Sequence, residues 1–175
     1  MERDVVVRVA AAGEEAAVRG VLLAAFPTPL EADLVDALRA DPAWIPALSR
    51  VAAYPIEGRI AGRGRVVAHA LLTRCHIGDV PALALAPVAV VPAEQRRGLG
   101  TLVVEDALAT ARGLGERAVV VLGHPAYYPR FGFTPAARHG ITAPFDAPAD
   151  ALMALSLDGT PPPRGVIRYA PPFGG

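Results

Sequence analysis

An apolar stretch from Leu83 to Val91 is followed by a helical recurrence of Leu99, Leu102, Val103, Leu108 and Ala111 that ends at Gly113 and Gly115. Next comes Ala118-Val119-Val120-Val121-Leu122, apolar at every position. Side chains leave a strand alternately on opposite sides, so a run with no polar member suits a strand covered on both faces. Strand, loop, helix and strand in that order predict one βαβ unit, and few arrangements of the rest of the chain can accommodate it.

Upstream, Val5 to Val9 is a β-branched run read as a first strand. Val18, Val21, Leu22 and Ala25 recur at helical spacing until Pro27 and Pro29. A second amphipathic helix carries Leu30, Leu34, Val35 and Leu38 on one stripe, beside Glu31, Asp33 and Asp36, and stops at Asp41-Pro42. Leu48 to Ile56, Val66 to Thr73 and Leu83 to Val91 then predict an antiparallel meander. Gly58, Gly62 and Gly64 separate the first two stretches, and Gly78-Asp79 with Pro81 the second pair. After the βαβ unit come a helical turn near Ala126 to Arg130, a Phe131-Gly132-Phe133 turn and a late strand near Leu152 to Leu157. A Pro-rich tail over 160–175, expected to fold back, closes a single domain spanning 1–175, with no internal repeat and no linker.

The hydrophobic fraction is 53%, yet seventeen basic and seventeen acidic residues are spread along the chain. That pattern indicates a soluble globular protein, and the balance points to neither nucleic acid nor an anionic membrane as partner. Charges and prolines interrupt every apolar run before it reaches transmembrane length. Met1-Glu2-Arg3-Asp4 lacks the apolar core of a signal peptide, and Cys75 has no second cysteine to pair with. Cytoplasmic residence is the expectation.

Between the buried strand and the helix lies Pro92-Ala93-Glu94-Gln95-Arg96-Arg97-Gly98-Leu99-Gly100-Thr101. A helix start presents free N–H groups and the positive end of its macrodipole. Gly98 and Gly100 remove side chains that would keep a phosphate from the backbone, and Arg96 and Arg97 add positive charge. A tight turn would also use glycine. The arginines and the preceding strand favour an anion site, one suited to a pyrophosphate. The G-K-[ST] ending of a P-loop and the third glycine of a dinucleotide fingerprint are both missing. The chain contains no lysine at all, which disfavours a nucleotide-phosphate enzyme.

Gln95-Arg96-Arg97-Gly98-Leu99-Gly100 resembles the Q/R-x-x-G-x-G/A signature of the GNAT superfamily of acyl-CoA-dependent N-acyltransferases, and Val88 to Pro92 resembles the strand before it. The order of elements from Val5 to Leu157 fits as well. The resemblance implies a mixed α/β fold, with a central, mainly antiparallel sheet splayed at its middle strands and helices on both faces. It further implies that amides from Gln95 to Thr101 hold the pyrophosphate of acetyl-CoA. Val88, Ala89 and Val90 would pair with the pantetheine arm, and an amide near Val90 would polarise the thioester carbonyl.

Leu122 to Phe133, with His124-Pro125-Ala126-Tyr127-Tyr128-Pro129-Arg130-Phe131-Gly132-Phe133 at its centre, resembles the YhbS-like bacterial branch of the family. Tyr128 stands four residues before Gly132-Phe133, where a family tyrosine commonly protonates the leaving thiolate. A phenol with a pKa of about 10 carries that proton at neutral pH. Members of that branch carry Asp where His124 stands, so the role of His124, as a base, a substrate contact or a packing residue, is open. Glu31 begins the helix that closes the acceptor pocket in the family and is a candidate amine contact, as Tyr127 is, although an acidic first turn also complements the helix dipole. His69, His76 and His139 show no metal-ligand spacing with carboxylates, and no metal is expected. The function expected is direct transfer of an acetyl group from acetyl-CoA to a primary amine in a ternary complex, with homodimers common in the family. The alternative is an acyl-CoA-binding sensor without turnover.

Overall fold

The computed structural model describes residues 4–56 and 64–174. Strand β1 (Val6–Val9) is followed by helices α1 (Glu15–Ala25) and α2 (Leu30–Arg39), then by strands β2 (Ser49–Pro55), β3 (Gly64–Ile77) and β4 (Val80–Val90). Helix α3 (Leu99–Gly113) leads into β5 (Ala118–Leu122). The remaining strands are β6 (Thr134–Pro135), β7 (Ile141–Thr142), β8 (Leu152–Ser156) and β9 (Gly165–Arg168). The sheet runs β1-β2-β3-β4-β5-β8-β6, with β9 against β3 and β7. Its β1 to β4 pairs are antiparallel, β4–β5 is parallel, and β5–β8 is antiparallel. This is the mixed α/β architecture expected from the order of elements.

Strand periodicity assigns the core. Val119 and Val121 of β5 face one apolar cluster with Val103, Val104, Ala107, Leu108 and Ala111 of α3, while Ala118 and Val120 face another. On β2, Ala52 joins the α3 side, whereas Val51 and Ala53 pack with Val18, Val21 and Leu22 of α1 and with Ala32, Val35 and Leu38 of α2. Helices therefore cover both faces of the β2–β3 region, and β5 is buried on both sides over its first four residues. Ion pairs fasten the layers: Arg50 of β2 to Asp106 of α3, and Arg74 of β3 to Glu116 just beyond α3.

Several expectations need correction. Leu30 is 71% exposed because it opens α2, and Ala32 takes its place on the buried stripe. Leu102 and Leu122 are also exposed. Gly58 and Gly62 lie outside the described residues. The tail folds back, and part of it is a strand: Arg168 and Ile167 of β9 pair with His76 and Ile77. β3 is fourteen residues long and runs past the end of β2, whose pairing stops at Ser49↔Leu71, so its Cys75–Ile77 edge is free to take β9. β6, β7 and β9 hold two to four residues each, too few to show a period.

His69, expected to be an ordinary face residue, is fully buried. Its Nε2 shares a hydrogen bond with the Ser49 hydroxyl at 3.0 Å, and its Nδ1 has no partner. Burial, with the Arg39 charge as a smaller contribution, pushes its pKa from 6.5 down to about 3. Below the ordinary value the unfolded chain takes up a proton that the folded one refuses. Stability is therefore complete above pH 6.5 and falls as pH drops toward 3. Thermal unfolding between pH 7 and 5 should show this slope, at most about 1.4 kcal/mol per pH unit for one proton, and His69→Gln should flatten it.

Candidate active site

The turn before α3 is shaped by backbone conformation. Gly98 has φ 79° and caps the helix with no side-chain hydrogen bond, so the first N–H groups of α3 stay open. Arg96 also adopts a left-handed conformation, φ 64°, uncommon for a residue with a Cβ. A Cβ on Gly100 would stand 3.3 Å from the Tyr127 hydroxyl and 3.6 Å from Val90 Cγ2, closing the space above the helix start. That space is a cavity of about 370 Å³ lined by Val90, Gln95 to Gly98 in part, Thr101, Tyr127 and Arg130. Tyr127 is fixed there by a hydroxyl hydrogen bond with Thr101 at 3.1 Å, and Arg130 lies 4.1 Å over its ring centroid.

The two arginines of the sequence motif part company. Arg96 lines the cavity, whereas Arg97 points to solvent, 63% exposed, and pairs with Glu94 at 3.2 Å. Burial would raise the Glu94 carboxyl, but hydrogen bonds from Tyr54 and Arg65 and the nearby Arg97 charge hold it below the usual carboxylate range. Arg130, from the segment after β5, supplies the second cation of the cradle.

From this cradle β4 runs inward. It pairs with β5 only at Leu83↔Val119 and Ala84↔Val120, while β5 stays paired to β8 through Leu122. Beyond Ala84 the two strands diverge. At the same point the β3–β4 register slips between Ala70 and Leu72, so Ala86-Pro87 stand opposite Leu71 as a bulge, and Pro87 has no N–H to offer a ladder. Val91 donates to the Val67 carbonyl at 2.9 Å. With His69 opposite Ala89 and Ala68 opposite Val90, antiparallel alternation turns the Ala89 backbone groups toward β3 and those of Val88 and Val90 away from it, into the splay. Ala89, expected to face the cleft, is thus committed to the sheet. The Val90 carbonyl accepts a hydrogen bond from Gln95 Nε2 at 3.1 Å.

A second cavity, about 530 Å³, occupies the splay beyond Val88. Its strand walls are Ala84 to Val88 and Val120 to His124, and Tyr128 closes one side. The Tyr128 ring packs edge-on to Phe133 with centroids 5.8 Å apart, and Gly123 is bare because a Cβ there would collide with the ring. Burial, with Tyr127 nearby, pushes the Tyr128 phenol up to about 12, so it keeps its proton well above neutrality. Its hydroxyl makes no hydrogen bond to a described residue. The far wall comes from distant segments: Phe26 and Glu31 at the α1–α2 junction, Phe145, and Tyr169 and Phe173 of the tail. His124 sits at the rim, exposed, and its carbonyl accepts the Tyr127 N–H at 3.0 Å.

The sequence profile of the Acetyltransferase (GNAT) family matches residues 18–133, which include β4, the glycine turn, α3, β5 and both tyrosines. The chain belongs to the GNAT family of acetyltransferases. It is 38% identical to the uncharacterised N-acetyltransferase YjhQ of Escherichia coli over 89% of this chain and 86% of that protein. The crystal structure of the GNAT family N-acetyltransferase YhbS from E. coli, in complex with CoA, superposes with a TM-score of 0.86 at 25% identity, covering 100% of this chain and 94% of that one. A GNAT acetyltransferase from Brucella melitensis, in complex with acetyl-CoA, gives 0.78 at 29% identity over 98% and 99%. The YhbS-like resemblance of the tyrosine segment agrees with these relatives.

Within this GNAT fold the predicted site residues divide between two cavities. Val90, Gln95, Arg96, Gly98, Leu99, Gly100 and Thr101 meet at the cradle, and Tyr127, expected on the acceptor side, joins them there. Val88, Tyr128, Glu31 and His124 line the larger cavity. Missed by sequence reasoning were Arg130, whose charge near Tyr127 was the available signal, and the aromatic wall of Phe145, Tyr169 and Phe173, which has none because its members are brought together only by folding. Among the described residues no group of three or more His, Cys, Asp or Glu could hold a metal ion, and no helix is long and apolar enough to cross a membrane. Cys75 is buried with its thiol pushed up to about 12, the state of an inert cysteine. Gly98→Ala should cost roughly 1–2 kcal/mol for the left-handed backbone, read by denaturant unfolding. Gly123→Ala should displace Tyr128 and leave the Gly98 turn intact, which a crystal structure of the variant would check.

Proposed function

We propose that this chain moves an acetyl group from acetyl-CoA to a primary amine by direct transfer within a ternary complex. The observation that carries the reading is the open edge of β4, which leads from a cradle at Val90 to a cavity at Val88 that contains a tyrosine whose hydroxyl is hydrogen-bonded to no described residue. Complexes of the two GNAT relatives with CoA and acetyl-CoA support the choice of donor.

The α3 amides from Gly98 to Thr101, with Arg96 and Arg130, bind the pyrophosphate. The outward-facing backbone groups of Val88 and Val90 align the pantetheine arm as an added strand would. The oxyanion donor expected at Val90 is reassigned to the Val88 amide, since Val88 lines the cavity of Tyr128 whereas Val90 lines the cradle. The acceptor nitrogen, having shed its ammonium proton, attacks the thioester carbonyl carbon. A C–N bond forms as the C–S bond breaks, and Tyr128 gives its proton to the departing sulfur. The surplus proton on the acylated nitrogen passes to solvent, and solvent returns a proton to the phenolate. A phenol held near 12 stays protonated for this step throughout the neutral and mildly alkaline range.

Tyr128→Phe should lower kcat by about 10²-fold or more and leave the calorimetric affinity for acetyl-CoA within a factor of two or so. Thiol release measured with a primary-amine panel reads the first quantity. An unchanged kcat would remove Tyr128 from the reaction, and failure of the wild type to bind acetyl-CoA would overturn the assignment as a whole.

A further inference from the structure

Helix α2 carries three carboxylates with unequal fates. Asp33 receives Arg19 at 2.9 Å, and Asp36 receives Arg19 and Arg39 at 2.7 and 2.9 Å. Glu31 has no ion pair among the described residues. Its Oε2 is buried without a hydrogen-bond partner, and the residue lines the large cavity. A buried carboxylate oxygen with no donor carries an uncompensated desolvation cost, which a cationic ligand would relieve.

Apart from His124 at the rim and the Tyr128 hydroxyl, the rest of that cavity is apolar and aromatic. Phe145 stacks on Tyr169 with centroids 5.8 Å apart and planes at 24°, and Tyr169 meets Phe173 at 5.5 Å. Phe145 and Leu122, both in the wall, are 48% and 47% exposed, an apolar surface that an occupant of the same character would cover. Among the described residues lining it, Glu31 is the sole carboxylate and no arginine is present. The cavity therefore matches one positive charge on an apolar body. A polycation would leave further charges without partners, and an acceptor carrying its own carboxylate would set like charges together with no arginine in the wall to receive it.

We infer that the acceptor is an apolar monoamine, with an aryl or branched-alkyl body, whose ammonium is anchored by Glu31 and whose body lies against Phe145, Tyr169 and Phe173. This rests on the acetyltransferase reading above and specifies its acceptor. The aromatic wall accounts for the role of the tail: β9 holds Tyr169 beside the cavity by pairing Arg168 with His76 of the sheet.

The test begins with calorimetric binding of acetyl-CoA to the wild type, whose absence would defeat the transferase reading and not the acceptor class alone. With the donor saturating, thiol release is then compared for 2-phenylethylamine, spermidine and L-glutamate. The monoamine should exceed the other two in kcat/KM by at least about tenfold. Glu31→Gln should raise the KM for 2-phenylethylamine roughly 10- to 100-fold with acetyl-CoA affinity unchanged. Inhibition by its neutral isostere 2-phenylethanol should be the same in both proteins, which separates loss of a charge partner from damage to the cavity. Phe145→Ala, at an exposed position, should weaken amine and alcohol together. Preference for spermidine or glutamate, no turnover of the monoamine by a protein that binds acetyl-CoA, or an unmoved KM in Glu31→Gln would each overturn the proposal.

Discussion

β4 is hydrogen-bonded along one edge to β3 and along the other, for only two residues, to β5. Everything at the site follows from that inequality. A strand inside a sheet normally satisfies both of its edges, and backbone groups left unpaired in a protein interior carry a desolvation cost. Here the Val88 groups and the Val90 N–H meet no neighbouring strand, and the Val90 carbonyl is met by the Gln95 side chain. The Ala86-Pro87 bulge makes this permissible, since it shifts the register against β3 and places a residue without an N–H where the strands part. The outer edge of β4 is thus a template for an extended ligand.

Such an opening would collapse unless both legs were held independently. Val119 and Val121 of β5 and Leu83 and Leu85 of β4 share the apolar cluster under α3. Ala84, Ala118 and Val120 share another with Ile141 and Ile167. Burial on both faces anchors each strand below the fork, and the ion pairs of Arg50 with Asp106 and Arg74 with Glu116 tie α3 and the turn after it to the meander. The N-terminus of α3 is consequently held at the end of β4, where its open amides face the same channel as the Val90 edge. Tyr127 completes the connection: its hydroxyl bonds Thr101 of α3, while its neighbour Tyr128 faces the fork.

The acceptor end obeys a different logic. Its walls come from the α1–α2 junction and, more than a hundred residues later in the chain, from the loop at Phe145 and the last strand and turn. Nothing local requires these residues to be aromatic or acidic. Their chemistry matters only because β9 adds to the free end of β3 and carries Tyr169 and Phe173 over the splay. In this proposed division the donor half rests on backbone groups and glycines, and the acceptor half on side chains.

Local chemistry in the sequence determined the βαβ unit, the meander and the glycine turn before α3, and a family resemblance marked Tyr128, the proton donor proposed above. Each is encoded over a few consecutive residues: apolar runs with a recognisable period, two glycines at a helix start, a tyrosine set before Gly132-Phe133. Tertiary structure alone decided which motif residues line the cavities. Arg97 turned to Glu94 while Arg130 took its place, because side chains choose partners across the fold and not along the chain. Strand alternation against β3 withdrew Ala89 and exposed Val88, a parity set by the position of one bulge. The short strands β6 and β9 formed against the longer β8 and β3, and Glu31 stands without an ion pair among the described residues while Arg19 and Arg39 pair with Asp33 and Asp36. Propensity and period act within a window of residues, whereas partner choice, parity and enclosure are properties of the assembled whole.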